Sequence, residues 1–349
     1  MKILHVMAGG AHGGAETAFV DMCIAQHEAG QDVEVVTRAN PVRVPQLEAA
    51  GIKVHRAPFG GPIDIYTPFK IAGLIKKFKP DIVQTWMSRA PAKLPKWCGE
   101  QSKKPYRVLA RLGGYYKIKY FSRVDYFATI TPDIKRHLVD QGVPESHIRH
   151  INNFAETESA AAPVSRASLD TPEDATVLLA LGRLHDAKAF DVLIEAVAGI
   201  PDAYLWIAGE GPDREKLQHL ITVMELNDRV KLLGWRSDRA ALFQAADICV
   251  FPSRYEPFGT VFVQAWEQET PLVTTAADGP AQFVRDEEDC LMVPINNASA
   301  LRAAIERVMG DKDLAARLVK NGRARYEGEF TKAKMLAEYL DFYNEILKR

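Results

Sequence analysis

Short runs of β-branched and aliphatic residues alternate with longer stretches of helical periodicity along most of the chain. Ile3–Met7, Val33–Thr37, Ile82–Gln84, Arg107–Ala110 and Tyr126–Ile130 read as buried strands in the first half. Thr176–Leu181, Tyr204–Ile207, Val230–Leu233, Asp247–Phe251 and Leu272–Thr274 read as a second series. Strands separated in this way by helices form βαβ units, so the fold class predicted is α/β, with two doubly wound, Rossmann-like domains. Between the two series, Glu156–Asp174 is rich in Ala, Ser, Glu and Pro without apolar periodicity, and it reads as a linker. The expected domains are therefore 1–155 and 156–330. At the end of the chain, Met335, Leu336, Tyr339, Leu340, Phe342, Tyr343 and Ile346 recur at helical spacing behind Thr331, a suitable N-cap. The aromatic face of that helix must be covered by packing.

The length of 349 residues fits two domains, and 47% apolar residues are enough for a core in each. No run approaches the ~20 apolar residues of a membrane-spanning helix, and the first residues lack the pattern of a secretory signal. Cys23, Cys98, Cys249 and Cys290 lie far apart, which predicts neither a zinc site nor a disulfide framework. A cytoplasmic protein is expected, with peripheral attachment at the inner face of the cell membrane as the variant worth testing.

Charge changes this picture. The sum of 44 Lys+Arg and 45 Asp+Glu gives a net charge of −1, which speaks against a uniformly basic nucleic-acid binder. The balance is composite, however: residues 1–155 hold 22 basic and 13 acidic residues, and the remainder holds 22 and 32. Within Tyr66–Arg123 alone, 14 basic residues face only Asp81 and Glu100 and are interleaved with aromatics. Without a nucleic-acid fold, such a stretch suits an anionic lipid surface or an anionic glycolipid better than a nucleic acid.

In doubly wound sheets, ligands bind beyond the carboxyl ends of the strands, which places the expected site in a cleft between two such sheets. Three strand-to-helix loops there carry candidate chemistry. Ala8-Gly9-Gly10-Ala11-His12-Gly13-Gly14-Ala15-Glu16 opens a helix, where backbone N–H groups and the helix dipole favour a phosphate, although the spacing is not that of a dinucleotide fingerprint. Gly182-Arg183-Leu184-His185-Asp186-Ala187-Lys188 sets an arginine and a lysine to converge on one diphosphate, the first as a fork and the second as a point charge. Pro252-Ser253-Arg254-Tyr255-Glu256-Pro257-Phe258-Gly259-Thr260 again opens a helix, with amides for an anion and Glu256 for hydroxyls.

Together with Ala208-Gly209-Glu210-Gly211-Pro212 and Leu233-Gly234-Trp235, in this order and spacing, these segments resemble the family 4 retaining glycosyltransferases of the GT-B fold. The resemblance covers nearly the whole chain. It implies that Arg183 and Lys188 bind the donor diphosphate and that Glu256, with the amides of Phe258, Gly259, Thr260 and Val261, holds the donor sugar. It further implies that Gly13 and Gly14 close over the phosphates, that Trp235 lies beside the nucleobase, and that the last helix, 331–349, crosses back onto the first domain. The family's second glutamate falls here on Gln264, which keeps hydrogen bonding without charge assistance, with Glu267 one helical turn further as a substitute. The family's histidine falls on Gly113, leaving its role to His12 or to a backbone group.

The activity expected is transfer of a sugar, with retention, from a nucleotide diphosphate donor to a hydroxyl of an anionic or membrane-linked glycan in lipopolysaccharide or polysaccharide biosynthesis. In the mechanism that the resemblance implies, the leaving phosphate takes the acceptor proton, so the protein supplies positioning and electrostatics. No cofactor is expected, since the nucleotide sugar is a substrate, and no metal, since Asp311-Lys312-Asp313 reads as a helix start. A catalytically weak nucleotide-sugar-binding or scaffold protein and a GT-B sugar epimerase are the competing readings.

Overall fold

The computed structural model describes residues 1–10, 13–61, 63–96, 104–157 and 162–349; His12 and Cys98 lie outside the described residues. Two compact units emerge, one of Met1–Asn153 with Lys332–Arg349 and one of Phe154–Thr331.

The first unit holds seven parallel strands: β1 (Lys2–Met7), β2 (Asp32–Thr37), β3 (Lys53–Arg56), β4 (Ile82–Trp86), β5 (Arg107–Leu112), β6 (Tyr126–Thr129) and β7 (Ile148–His150), in the order β3-β2-β1-β4-β5-β6-β7. The second holds β8 (Thr176–Leu181), β9 (Ala203–Ala208), β10 (Val230–Gly234), β11 (Ile248–Phe251), β12 (Leu272–Thr275) and β13 (Leu291–Val293), in the order β10-β9-β8-β11-β12-β13. Helices cover both faces of such sheets, so central strands bury every side chain. All of Ile3–Met7, apolar apart from His5, and all of Val177–Leu181 are buried, which is why these strands do not alternate apolar and polar residues. The strand order reverses between β1 and β4 and again between β8 and β11, and these reversals mark where ligands bind.

The segment 162–174 departs from the linker expected there. It belongs to the second unit and is stitched to it by Arg166, whose Nε donates to Ala245 O at 3.0 Å and whose Nη2 contacts both carboxylate oxygens of Asp247, at 3.1 and 3.0 Å. Trp206 Nε1 donates to Thr171 Oγ1 at 3.0 Å. Composition hid this because polar side chains bonding to backbone carry no periodic signal.

The last helix, Lys332–Lys348, is part of the first unit and buries Met335, Tyr339, Phe342, Tyr343 and Ile346 there. Beneath it runs a fully buried polar chain. Trp86 Nε1 donates to His5 Nδ1 at 3.1 Å, so the other ring nitrogen of His5 carries the proton and donates to Gln26 Oε1 at 2.8 Å. Gln26 Nε2 donates to Tyr343 Oη at 2.8 Å, and Tyr343 Oη donates in turn to Gln84 Oε1. Burial drives the His5 imidazole down from 6.5 to about 4 and keeps it neutral. Among the described residues no helix is long and apolar enough to cross a membrane.

Candidate active site

The loop after β8 and the loop after β11 flank the strand-order reversal of the second unit. Backbone contacts that only glycine permits shape the first of them. Gly182 (φ 152°) donates to Ala208 O at 3.1 Å, and Leu184 N donates to Glu210 O at 3.0 Å. A Cβ on Gly209 would collide with the carbonyl of Gly182, and one on Gly211 with the backbone of Leu184. Gly209-Glu210-Gly211 thus clamps Gly182-Arg183-Leu184 from the side. Arg183 stands exposed on this rigid turn, and among the described residues nothing hydrogen-bonds or pairs with its guanidinium. Lys188 follows on a short 3-10 turn, Asp186–Lys188, before the helix Phe190–Ala198.

The second loop is anchored by its aromatic residue. Phe258 is buried, its ring 5.1 Å from Phe283 and 5.4 Å from Phe262, within a cluster that includes Trp266 and Phe330. Gly259 (φ 96°) then caps the helix Thr260–Glu267, where a Cβ would press on the Phe251 ring at 2.7 Å. The first amides of that helix have no preceding helical carbonyl to serve and are oriented for an anion. Gln264 lies on the same helix, buried, and its side-chain amide makes no hydrogen bond to a described residue.

The two loops meet at an ion pair between Lys188 Nζ and Glu256 Oε2, both mostly buried, with Lys188 over the Phe251 ring at 5.7 Å. Thus the lysine assigned to a diphosphate and the carboxylate assigned to sugar hydroxyls hold each other. A ligand carrying both groups would replace that one contact with two.

Two features that the sequence did not reveal hold the loops in register. Arg254 forks onto Asp191 at 2.9 and 2.8 Å and donates to Asp186 O at 2.8 Å, while the Arg254 and Tyr255 amides donate to Ala187 O. Burial opposes ionisation of Asp191, but the fork outweighs it and its pKa is lowered; the same hydrogen bonds raise that of Arg254. Gly279, after β12, donates to Glu256 O at 2.8 Å, and a Cβ there would lie 2.6 Å from Phe258 N. Both depend on residues far apart in the chain.

The other expected residues fall as follows. Trp235, 71% exposed, follows β10 in the second unit. Glu267 does not substitute at Gln264's position, because its Oε2 accepts from Thr157 N and Thr157 Oγ1, both at 2.8 Å, and burial raises its pKa. Gly13 and Gly14 begin the helix Gly14–Glu28 of the first unit, where Gly10 N donates to Glu16 Oε1 at 2.6 Å. Gly113 is bordered by Arg111 Nη1, 3.0 Å from where a Cβ would stand. Asp311 is a cap, accepting from Leu314 N at 2.9 Å, and among the described residues no group of three or more His, Cys, Asp or Glu is placed to hold a metal.

Two Rossmann-like units with these strand orders define the GT-B fold. Solved GT-B structures match over the whole length: a glycosyltransferase from Rickettsia africae with a TM-score of 0.88 (21% identity, 100% of this chain and 99% of that one), and Anabaena HepE in complex with UDP and glucose at 0.81 (20%, 99% and 100%). Residues 12–159 match the model described as Glycosyltransferase Family 4, and 162–325 the model described as Glycosyl transferases group 1. Two lipopolysaccharide core biosynthesis glycosyltransferases of Rhizobium meliloti are similar throughout: LpsE at 35% identity (97% of this chain, 98% of LpsE) and LpsD at 32% (99% and 98%). The chain belongs to the family 4 glycosyltransferases.

Proposed function

We propose that the protein transfers a sugar from a nucleotide diphosphate donor to a hydroxyl of a lipopolysaccharide core or related envelope glycan, with retention of configuration and without a metal ion. The observation that carries this reading is the ion pair of Lys188 with Glu256 across two adjoining loops at the strand-order reversal of the second unit, with Arg183 exposed on the first of those loops. The names of LpsE and LpsD support the acceptor class, and the HepE structures with UDP and with UDP-glucose support the donor class.

In this reading Arg183 and Lys188 neutralise the diphosphate, Glu256 and the amides of Phe258 to Val261 hold the sugar, and Gln264 hydrogen-bonds the ribose near Trp235. Gly13 and Gly14 are assigned to the donor phosphates on the resemblance. The bond from the anomeric carbon to the phosphate oxygen breaks, the bond to the acceptor oxygen forms on the same face, and the acceptor proton passes to the leaving phosphate. Stabilising the departing diphosphate by these two cations is where the protein lowers the barrier. The first domain, with its basic excess, takes the acceptor and meets the anionic inner face of the membrane.

The test is nucleotide release from a panel of nucleotide diphosphate sugars in EDTA, followed by proton NMR of the anomeric linkage formed on lipopolysaccharide core. One donor should turn over undiminished in EDTA and give the donor's own anomeric configuration. Inversion, or activity abolished by EDTA and restored by manganese, would overturn the mechanism. Binding without nucleotide release would favour a scaffold protein, and sugar conversion without acceptor an epimerase.

A further inference from the structure

A cavity of about 480 Å³ opens in the first unit, and its lining is basic: Arg38, Gly60, Gly61, Arg89, Ala92 and Lys93. Arg38 follows β2, Gly60 and Gly61 follow β3, and Arg89 follows β4, so the cavity lies at the carboxyl ends of the strands, where doubly wound sheets bind ligands. Among the described residues that line it, no side chain is acidic.

Two of the three cations are fixed in place. Arg38 Nε donates to Pro58 O at 2.9 Å and its Nη2 to Phe59 O; Lys93 Nζ donates to Gly61 O at 2.7 Å and to Asp64 O at 3.0 Å. The nearby carboxylate, Asp64, lies 3.7 Å from Lys93 and is largely spent on the loop, accepting from Gly60 N, Thr67 N and Thr67 Oγ1 at 2.8, 3.0 and 2.6 Å. It balances one cation of three. Arg89 is exposed, and among the described residues it has no hydrogen-bond or ion-pair partner.

The like charges are compensated only in part, by Asp64 and Glu16. Burial, and after it the charge of Arg89, lowers the pKa of Arg38. Behind them Arg43 is 3% exposed; its Nη1 donates to Gly10 O at 3.2 Å, while its Nε and Nη2 have no partner. Burial lowers the pKa of Arg43 too, with Glu16 opposing and Arg38 adding to the shift. Arg38 and Arg89 thus line a cavity large enough for a sugar ring bearing a charged group, with Arg43 interacting with Arg38 from outside the lining and Glu16 and Asp64 as the opposing charges. An oxyanion would relieve this repulsion and receive charge-assisted hydrogen bonds from donors already oriented.

We infer that the cavity between Arg38, Arg89 and Lys93 binds an oxyanion, a phosphate monoester or a carboxylate, carried by the acceptor sugar. The inference rests on the glycosyl-transfer reading for the word acceptor, and it gives that acceptor a chemistry: a sugar charged next to the ring that is to be extended.

Calorimetric titration of the full chain with glucose 6-phosphate, glucuronate and glucose tests it. Both charged sugars, or the one whose oxyanion matches, should bind the parent and the Arg183→Ala variant equally, and uncharged glucose should give no heat. Arg89→Gln, at an exposed position that leaves the fold untouched, should weaken the charged sugar about ten- to a hundredfold, and Arg38→Gln should act likewise. Preference between phosphate and carboxylate identifies the group. Absence of binding by either charged sugar overturns the site. So does binding that survives Arg89→Gln and disappears in Arg183→Ala, which would put the sugar phosphate on the proposed diphosphate loop and leave the donor reading standing. Loss in Arg89→Gln, combined with Arg183→Ala leaving donor turnover intact, would support the cavity and overturn the donor reading.

Discussion

The buried His5 makes a quantitative demand on the first unit. Its imidazole accepts from Trp86 and donates to Gln26, and through Gln26 it reaches Tyr343 of the terminal helix, so it works only when neutral. Burial holds its pKa at about 4 against 6.5 in the unfolded chain. Between those values the unfolded state binds the extra proton, so the stability this group allows is complete above pH 6.5 and is lost as pH falls towards 4. The full interval corresponds to about 3.4 kcal/mol, of which about 2.5 kcal/mol is already lost at pH 4.5. The assay is hydrogen exchange of peptides from β1 and β4, comparing the parent with His5→Gln at pH 7.5 and at pH 4.5. Other titrating groups are common to both proteins and cancel. The advantage of the parent over the variant should shrink by about 2.5 kcal/mol on acidification, close to two orders of magnitude in protection. A gap independent of pH would mean that His5 is not neutral by burial and that the chain of hydrogen bonds under the terminal helix is wrongly drawn.

Two further substitutions probe the architecture of the site. Gly279→Ala forces a methyl group into the backbone of Glu256–Phe258; a displacement on the order of 1 Å should lower donor turnover about a hundredfold. Gly310→Ala, where a Cβ would meet nothing within 4 Å, should leave turnover unchanged, and equal effects of the two would refute the positioning role of Gly279. Arg254→Lys keeps the charge but not the fork onto Asp191 and Asp186, so kcat should fall while the melting temperature shifts by only a few degrees; a loss confined to stability would show that Arg254 does not hold the loops in register.

Much of the fold was legible because central parallel strands must be apolar on both faces; nine central strands declared themselves that way, and so did the edge strand Val230–Gly234. The three that did not, Lys53–Arg56, Ile148–His150 and Leu291–Val293, are three or four residues long and lie at sheet edges. An edge strand pairs on one side only and tolerates residues such as Lys53, His55 and Arg56, so β3 leaves no apolar run, whereas Leu291–Val293 is apolar but only three residues long. Gly182, Arg183, Lys188, Glu256 and Gly259 were legible as candidates because they lie on glycine-bearing strand-to-helix loops whose order and spacing resemble the family's. Arg254, Asp191 and Gly279 were not, since their roles arise where chain segments dozens of residues apart touch. Gln264 was visible as a departure from the family pattern; its burial on the helix Thr260–Glu267, without a hydrogen bond from its amide, became apparent only with the fold.

The central claim is that Arg183, on its glycine-clamped turn, stabilises the departing diphosphate. The most direct test is the rate of nucleoside diphosphate release from the identified donor by the parent and by Arg183→Ala, an exposed residue whose loss should not disturb folding. Removing one such charge should lower kcat by about two to three orders of magnitude with the melting temperature unchanged. Release at the parental rate by a folded Arg183→Ala protein would contradict the account.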